Sequence, residues 1–144
     1  MENLKVVVGS DHGGFEYKEA VINFLKSKNI SYIDVGTYSK ASCDYPVIAK
    51  KAAEKILSGE ADRGILICGT GIGMSIAANK IKGIRAALCH DTFSARATRA
   101  HNNSNILCLG QRVIGEYLAL DIVDMWLKSE FEGGRHQRRV DMLE

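Results

Sequence analysis

Short apolar runs alternate with amphipathic helical stretches along almost the whole chain, and that alternation restricts it to the α/β class. Residues 4–8 read as a buried strand, residues 32–36 as a second, and residues 65–68, 86–89 and 106–109 as three more. Between them Tyr17, Ala20, Val21, Phe24 and Leu25 recur at helical spacing. Ile48, Ala49, Ala52, Ala53, Ile56 and Leu57 form another stripe, with Pro46 in its first turn and Gly59 just past its end. Further helices are expected to begin near Met74, Thr92 and Gly115. Five such strand–helix units predict a parallel sheet of five strands, covered on both faces by helices in a three-layer sandwich.

At 144 residues the chain suits one domain, residues 1–144, that removes about two thirds of its surface from water on folding. Residues 130–144 lose the rhythm and read as a C-terminal tail or a short extra element. A net charge of +2 argues against a general nucleic-acid binder but leaves room for a local basic patch. No apolar run approaches the roughly 20 residues that span a membrane. The start, Met1-Glu2-Asn3-Leu4-Lys5, lacks signal-peptide anatomy. Cys43, Cys68, Cys89 and Cys108 are far apart, without a Cys-x-x-Cys pair. That spacing disfavours zinc or a disulfide framework and predicts a cytoplasmic protein.

In open sheets of this type ligands gather at the carboxyl ends of the strands, which singles out three loops. The first is Gly9-Ser10-Asp11-His12-Gly13-Gly14, where the Gly-x-Gly-x-x-Gly spacing and the Walker A lysine are both missing. Asp11 and His12 there are either a helix N-cap with a surface imidazole or a hydrogen-bonding pair for a polyhydroxy or phosphorylated ligand. The second is Cys68-Gly69-Thr70-Gly71-Ile72-Gly73. Its glycines let backbone approach a ligand, and unpaired amides at the following helix make an anion nest that also favours a thiolate. The third is Gly110-Gln111-Arg112.

Other candidates have a plain structural reading beside the functional one. His101-Asn102-Asn103 ends a helix stripe, where Asn serves as a C-cap. His90 and His136 carry no constellation, and Cys43, Cys89 and Cys108 read as structural. Arg135, Arg138 and Arg139 follow a Gly-Gly hinge and are either solvated charges or guanidinium forks converging on one phosphate. No His–carboxylate cluster stands at metal-ligand spacing, and nothing calls for a cofactor. Ile122, Val123, Trp126 and Leu127 offer a broad apolar surface for core or interface.

Taken in order, six segments resemble type B ribose-5-phosphate isomerases over essentially the whole chain. They are Gly9 through Gly14, Asp44-Tyr45-Pro46, Gly64 through Gly73, Ala77-Ala78-Asn79-Lys80, His101-Asn102-Asn103-Ser104-Asn105 and Gly133-Gly134-Arg135-His136-Gln137-Arg138-Arg139. The resemblance implies a Rossmann-like fold and a metal-independent aldose–ketose isomerase that interconverts ribose 5-phosphate and ribulose 5-phosphate through an enediolate. Met74 stands near the place of the glutamate base of another branch, so the chain resembles the cysteine branch, with Cys68 as base. Thr70 would assist proton transfer, and amides from Gly69 to Gly73, those of Gly71 and Ile72 included, would hold the enediolate. His101 would open the furanose. Asp11, His12, Tyr45, Asn102, Arg112, Arg135 and Arg139 would bind sugar and phosphate. The resemblance further implies a homodimer, with dimers pairing into tetramers as an open question, and a site at the subunit interface into which the His101-Asn102 and Arg112 region reaches from the partner. Two alternatives stand beside this reading: an isomerase of a six-carbon phosphate such as allose 6-phosphate or galactose 6-phosphate, and a non-enzymatic phosphate- or nucleotide-binding module.

Overall fold

Alternating side chains along three central strands divide between two apolar layers, and this division sets the architecture. The computed structural model describes residues 3–143. Met1, Glu2 and Glu144, at the expected signal-free start and in the charged tail, lie outside the described residues. Five parallel strands, β1 (Lys5–Ser10), β2 (Ser31–Asp34), β3 (Arg63–Cys68), β4 (Ala86–Leu88) and β5 (Ile106–Gly110), pair in the order β2-β1-β3-β5-β4. Between and after them run α1 (Phe15–Ser27), α2 (Tyr45–Leu57), α3 (Ile72–Asn79), α4 (Thr92–Asn102), α5 (Glu116–Lys128) and α6 (Arg135–Asp141).

Val6, Val8, Ile65, Ile67, Leu107 and Leu109 face one layer, packed on Val21 and Leu25 of α1 and Ile122, Val123 and Trp126 of α5. Val7, Leu66, Cys68, Ile106 and Cys108 face the other, packed on Ile48, Ala49, Ala52 and Ala53 of α2 and Met74 and Ala78 of α3. The apolar surface of Ile122, Val123, Trp126 and Leu127 is thus core. Both faces are covered, which is why the strands read as continuous apolar runs.

Pro46 lies in the first turn of α2 and Gly59, at φ +83°, follows its end, as the spacing predicts. Asn103 caps α4 in the left-handed region at φ +50°. One boundary differs from expectation. Helix α3 starts at Ile72 rather than near Met74, because Gly71 and Gly73 carry no side chain from which a period can be read. Of the two readings of residues 130–144, the short extra element is the one found: α6, with Val140 buried.

Strand order reverses direction between β1 and β3, so the loops after these two strands flank the switch point where open sheets bind ligands.

Candidate active site

β3 is the central strand and ends on Cys68, whose side chain is only 5% exposed yet stands at the carboxyl edge. Gly71, at φ +79°, turns the chain back so that its amide donates to Cys68 Sγ at 3.1 Å. The next amide, of Ile72, donates to Thr70 Oγ1 at 3.2 Å. Two of the five expected oxyanion amides are therefore turned onto the loop's own side chains. Gly73 leaves room for a neighbour: a Cβ there would lie 2.8 Å from the Tyr45 ring. Tyr45, at the start of α2, thus walls the glycine loop, while Met74 is wholly buried and offers no acid or base.

The loop after β1 abuts the same place. A Cβ on Gly13 would lie 3.1 Å from the Gly69 nitrogen. Asp11 is nearly buried, and its Oδ1 accepts the Gly13 amide at 2.9 Å, which makes it the cap of the short turn His12–Gly14. The exposed His12 accepts the Cys43 amide on Nδ1 at 3.2 Å, so in its neutral form the proton is on Nε2, pointing away from that loop. Both plain readings of these residues hold, and both leave polar groups at the site. Arg112 completes the edge. Its amide donates to the Gly69 carbonyl at 2.9 Å, and its guanidinium would meet a Cβ on Gly69 at 3.2 Å. Gln111 donates to the Cys68 carbonyl and accepts the Tyr17 amide, tying this loop to β3 and α1.

His101 and Asn102 are elsewhere. Helix α4 leaves the carboxyl end of β4 and returns against the strand direction, so its last residues lie beside the start of β5. Gly64 pairs with Ile106 at that end of the sheet, and Cys68 with Gly110 at the other. The length of β5, about 13 Å at the usual rise per residue, separates the two groups. Helix α6 packs on α4 at the amino end. One cavity there, of about 260 Å³, is lined by His101, Asn102, His136, Arg139, Val140 and Leu143. Arg135 opens α6 and is exposed, like Arg138 and Arg139. The structure therefore divides the group expected to travel together: Arg112 stays with Cys68 of its own chain, away from His101 and Asn102. The position of a helix end just before a parallel strand already carries that information, since such ends face the amino edge.

Two further expectations change. His136 is not without a constellation: its ring stacks on His101 with centroids 4.5 Å apart, and its Nε2 lies 3.4 Å from Glu132 Oε1. His101, Glu132 and His136 also make a His–carboxylate cluster, where the sequence spacing indicated none. Arg99 holds this end together, donating to Asn103 Oδ1 and to the Ser104 and Ser129 carbonyls. Burial, with Arg63 and Arg85 adding their charges, lowers its pKa to about 10.

Cys89 and Cys108, both buried, fit a structural role. Burial, reinforced by Asp91, pushes Cys89 up to about 11, and burial raises Cys108 further. All four cysteines are free. No helix among the described residues is long and apolar enough to cross a membrane.

A thiol and glycine-loop amides at the switch point of a doubly covered parallel sheet, with Arg112 at hand, form the candidate site. Comparison with known proteins specifies the class: residues 6–143 match the model of the Ribose/Galactose Isomerase family, and the chain belongs to that family. It is 48% identical to ribose-5-phosphate isomerase B of Escherichia coli over 96% of this chain and 93% of that one. It is 48% identical to D-erythrulose-4-phosphate isomerase 2 of Mycolicibacterium smegmatis, over 90% and 87%. Among solved structures, a ribose 5-phosphate isomerase of Thermotoga maritima superposes with a TM-score of 0.97 at 55% identity, covering 99% of this chain and 98% of that one. The protein is an isomerase, and the non-enzymatic alternative falls.

Proposed function

We propose that the protein interconverts ribose 5-phosphate and ribulose 5-phosphate, with Cys68 as the base. The observation that carries this reading is the placement of Cys68 Sγ at the carboxyl edge of the central strand, in contact with the Gly71 amide at 3.1 Å. The thiolate takes the C2 proton of the open-chain aldose and returns it to C1, while Thr70 Oγ1 passes the proton between the two substrate oxygens. Negative charge on the enediolate oxygen is met by amides of the loop from Gly69 to Gly73, those of Gly71 and Ile72 exchanging their side-chain acceptors for substrate. Asp11, His12 and Tyr45 border the sugar, and Arg112 grips the phosphate.

Ring opening is assigned to His101 of the partner subunit. Within one chain His101, Asn102, Arg135 and Arg139 lie at the opposite end of the sheet from Cys68. A two-fold dimer that lays one edge against the other supplies each thiol with a second histidine, an asparagine and phosphate-binding arginines. Symmetry then makes two identical sites. One domain, with residues 130–144 as the arm that carries the arginines, suits this division. Free cysteines suit a reducing cytoplasm.

Assay of Cys68→Ala on ribose 5-phosphate tests the reading. Loss of a general base lowers kcat by about 10²–10⁴-fold, and near-normal turnover would remove the thiol from the mechanism. A second reading keeps the chemistry and changes the carbon count, supported by the relative named for a four-carbon sugar phosphate. Specificity constants for four-, five- and six-carbon phosphates separate the two.

A further inference from the structure

The C-terminal segment brings Glu132 and His136, four residues apart, against the sequence-distant His101. His101 ends α4, Glu132 lies in the connection to α6, and His136 is in its first turn. One donor atom from each lies within 4.8 Å of the others. We propose that His101, Glu132 and His136 form a binding site for a first-row transition-metal dication, Zn²⁺ being the best match, and that its occupancy inhibits the isomerase.

Two imidazoles and one carboxylate select zinc and its neighbours over magnesium or calcium, which prefer all-oxygen shells. Three protein ligands leave one position open, as in zinc sites that exchange their fourth ligand. With bonds near 2.1 Å, donors in a tetrahedral shell stand about 3.4 Å apart, so the present spread must close by about 1.4 Å at most. The side chains can supply this, because His101 and Glu132 are exposed. Swinging the two rings out of their stack, 18° from parallel, turns their lone pairs toward a common point. The backbone behind them is already fixed. The Glu132 amide donates to the Ala100 carbonyl at 3.0 Å, and Arg99 clamps Ser104 to Ser129. The adjoining cavity of about 260 Å³ gives the ion a route from solvent and room for a water in the open position.

Arg139 lines that cavity and opposes a second cation, whereas the Glu132 carboxylate offsets one charge. The balance suits a reversible inhibitory ion rather than a permanent structural one. Inhibition rests on the proposed reading of His101: an imidazole whose lone pair is on zinc cannot shuttle the proton that opens the furanose.

The test titrates the intact protein with Zn²⁺ by calorimetry and with Co²⁺ by visible absorption. One ion per chain is expected. Glu132→Gln keeps both histidines and should weaken binding by about tenfold or more, the loss typical even for outer partners of a metal site, while metal-free turnover persists. Unchanged affinity in that variant, an intense cobalt–thiolate band, or no binding by the wild type would each overturn the site. Zn²⁺ should inhibit the wild type over the range in which it binds, and Glu132→Gln should shift both curves equally. Binding that depends on Glu132 with full activity at saturation would uphold the metal site and withdraw ring opening from His101.

Discussion

The Gly71 amide donates to Cys68 Sγ across 3.1 Å, so the thiol that ends the central strand is oriented by the turn that follows it. Turn shape and thiol position are one feature. Gly71 is at φ +79°, and a Cβ there would lie 2.5 Å from Leu88 Cδ1 and 2.9 Å from the Leu109 carbonyl carbon.

Gly71→Ala should therefore destabilise the fold by about 2–5 kcal/mol, from left-handed backbone strain together with overpacking. Urea unfolding measures the loss. Stability within a few tenths of a kcal/mol of wild type would show that the turn relaxes freely.

The separation of Cys68 from His101 within one chain predicts two complementation groups. Cys68→Ala and His101→Ala should each be nearly inactive alone. Unfolded together and refolded, they should recover about a quarter of wild-type activity, since in the proposed dimer half the pairs are mixed and each mixed pair has one intact site. Arg139→Ala should complement Cys68→Ala, and Arg112→Ala should not, because Arg112 shares an edge with its own Cys68. Recovery with Arg112→Ala would contradict that grouping.

Lys18 is wholly buried, with Nζ 2.8 Å from Asp34 Oδ2 and 3.2 Å from Glu19 Oε1. Asp34 Oδ1 also accepts the Gly36 amide. Removing the Asp34 carboxylate leaves the buried ammonium to the half-exposed Glu19, so Asp34→Ala should cost about 3 kcal/mol, while Lys18→Met, which removes the charge itself, should cost clearly less. Denaturant midpoints for the two variants decide the order.

Cys89, pushed up to about 11 from 9.0, makes stability fall with alkaline pH. In that window the unfolded thiol loses its proton while the folded one keeps it. The native state then binds more protons, so the contribution is fully present below pH 9.0 and is lost toward pH 11. Cys89→Val should flatten the fall in unfolding midpoint across that range. An unchanged slope would show that other groups carry it.

Much of this molecule is legible in one dimension because its signals are local. The apolar runs place all five strands to within two residues, and Pro46, Gly59 and Asn103 mark helix ends through backbone geometry that each residue carries itself. The Cys68 loop is legible for the same reason, as a thiol and three glycines in six residues. His136 was not. Its partners are His101, thirty-five positions away, and Glu132, one helical turn back in a stretch without other periodicity. Lys18 falls on a helix stripe between apolar neighbours, and only β2 and the loop beyond it bury its charge.

By itself the sequence determined the α/β class, the sheet and the loop that holds the thiol, since strand period, helix period and glycine turns are written residue by residue. Tertiary structure alone decided which candidate residues share a place. Parallel crossovers carry each loop to the carboxyl edge and each returning helix to the amino edge, so Arg112 joins Cys68 while His101 and Arg139 end a strand's length away. Chain order does not measure that distance; packing across the sheet does.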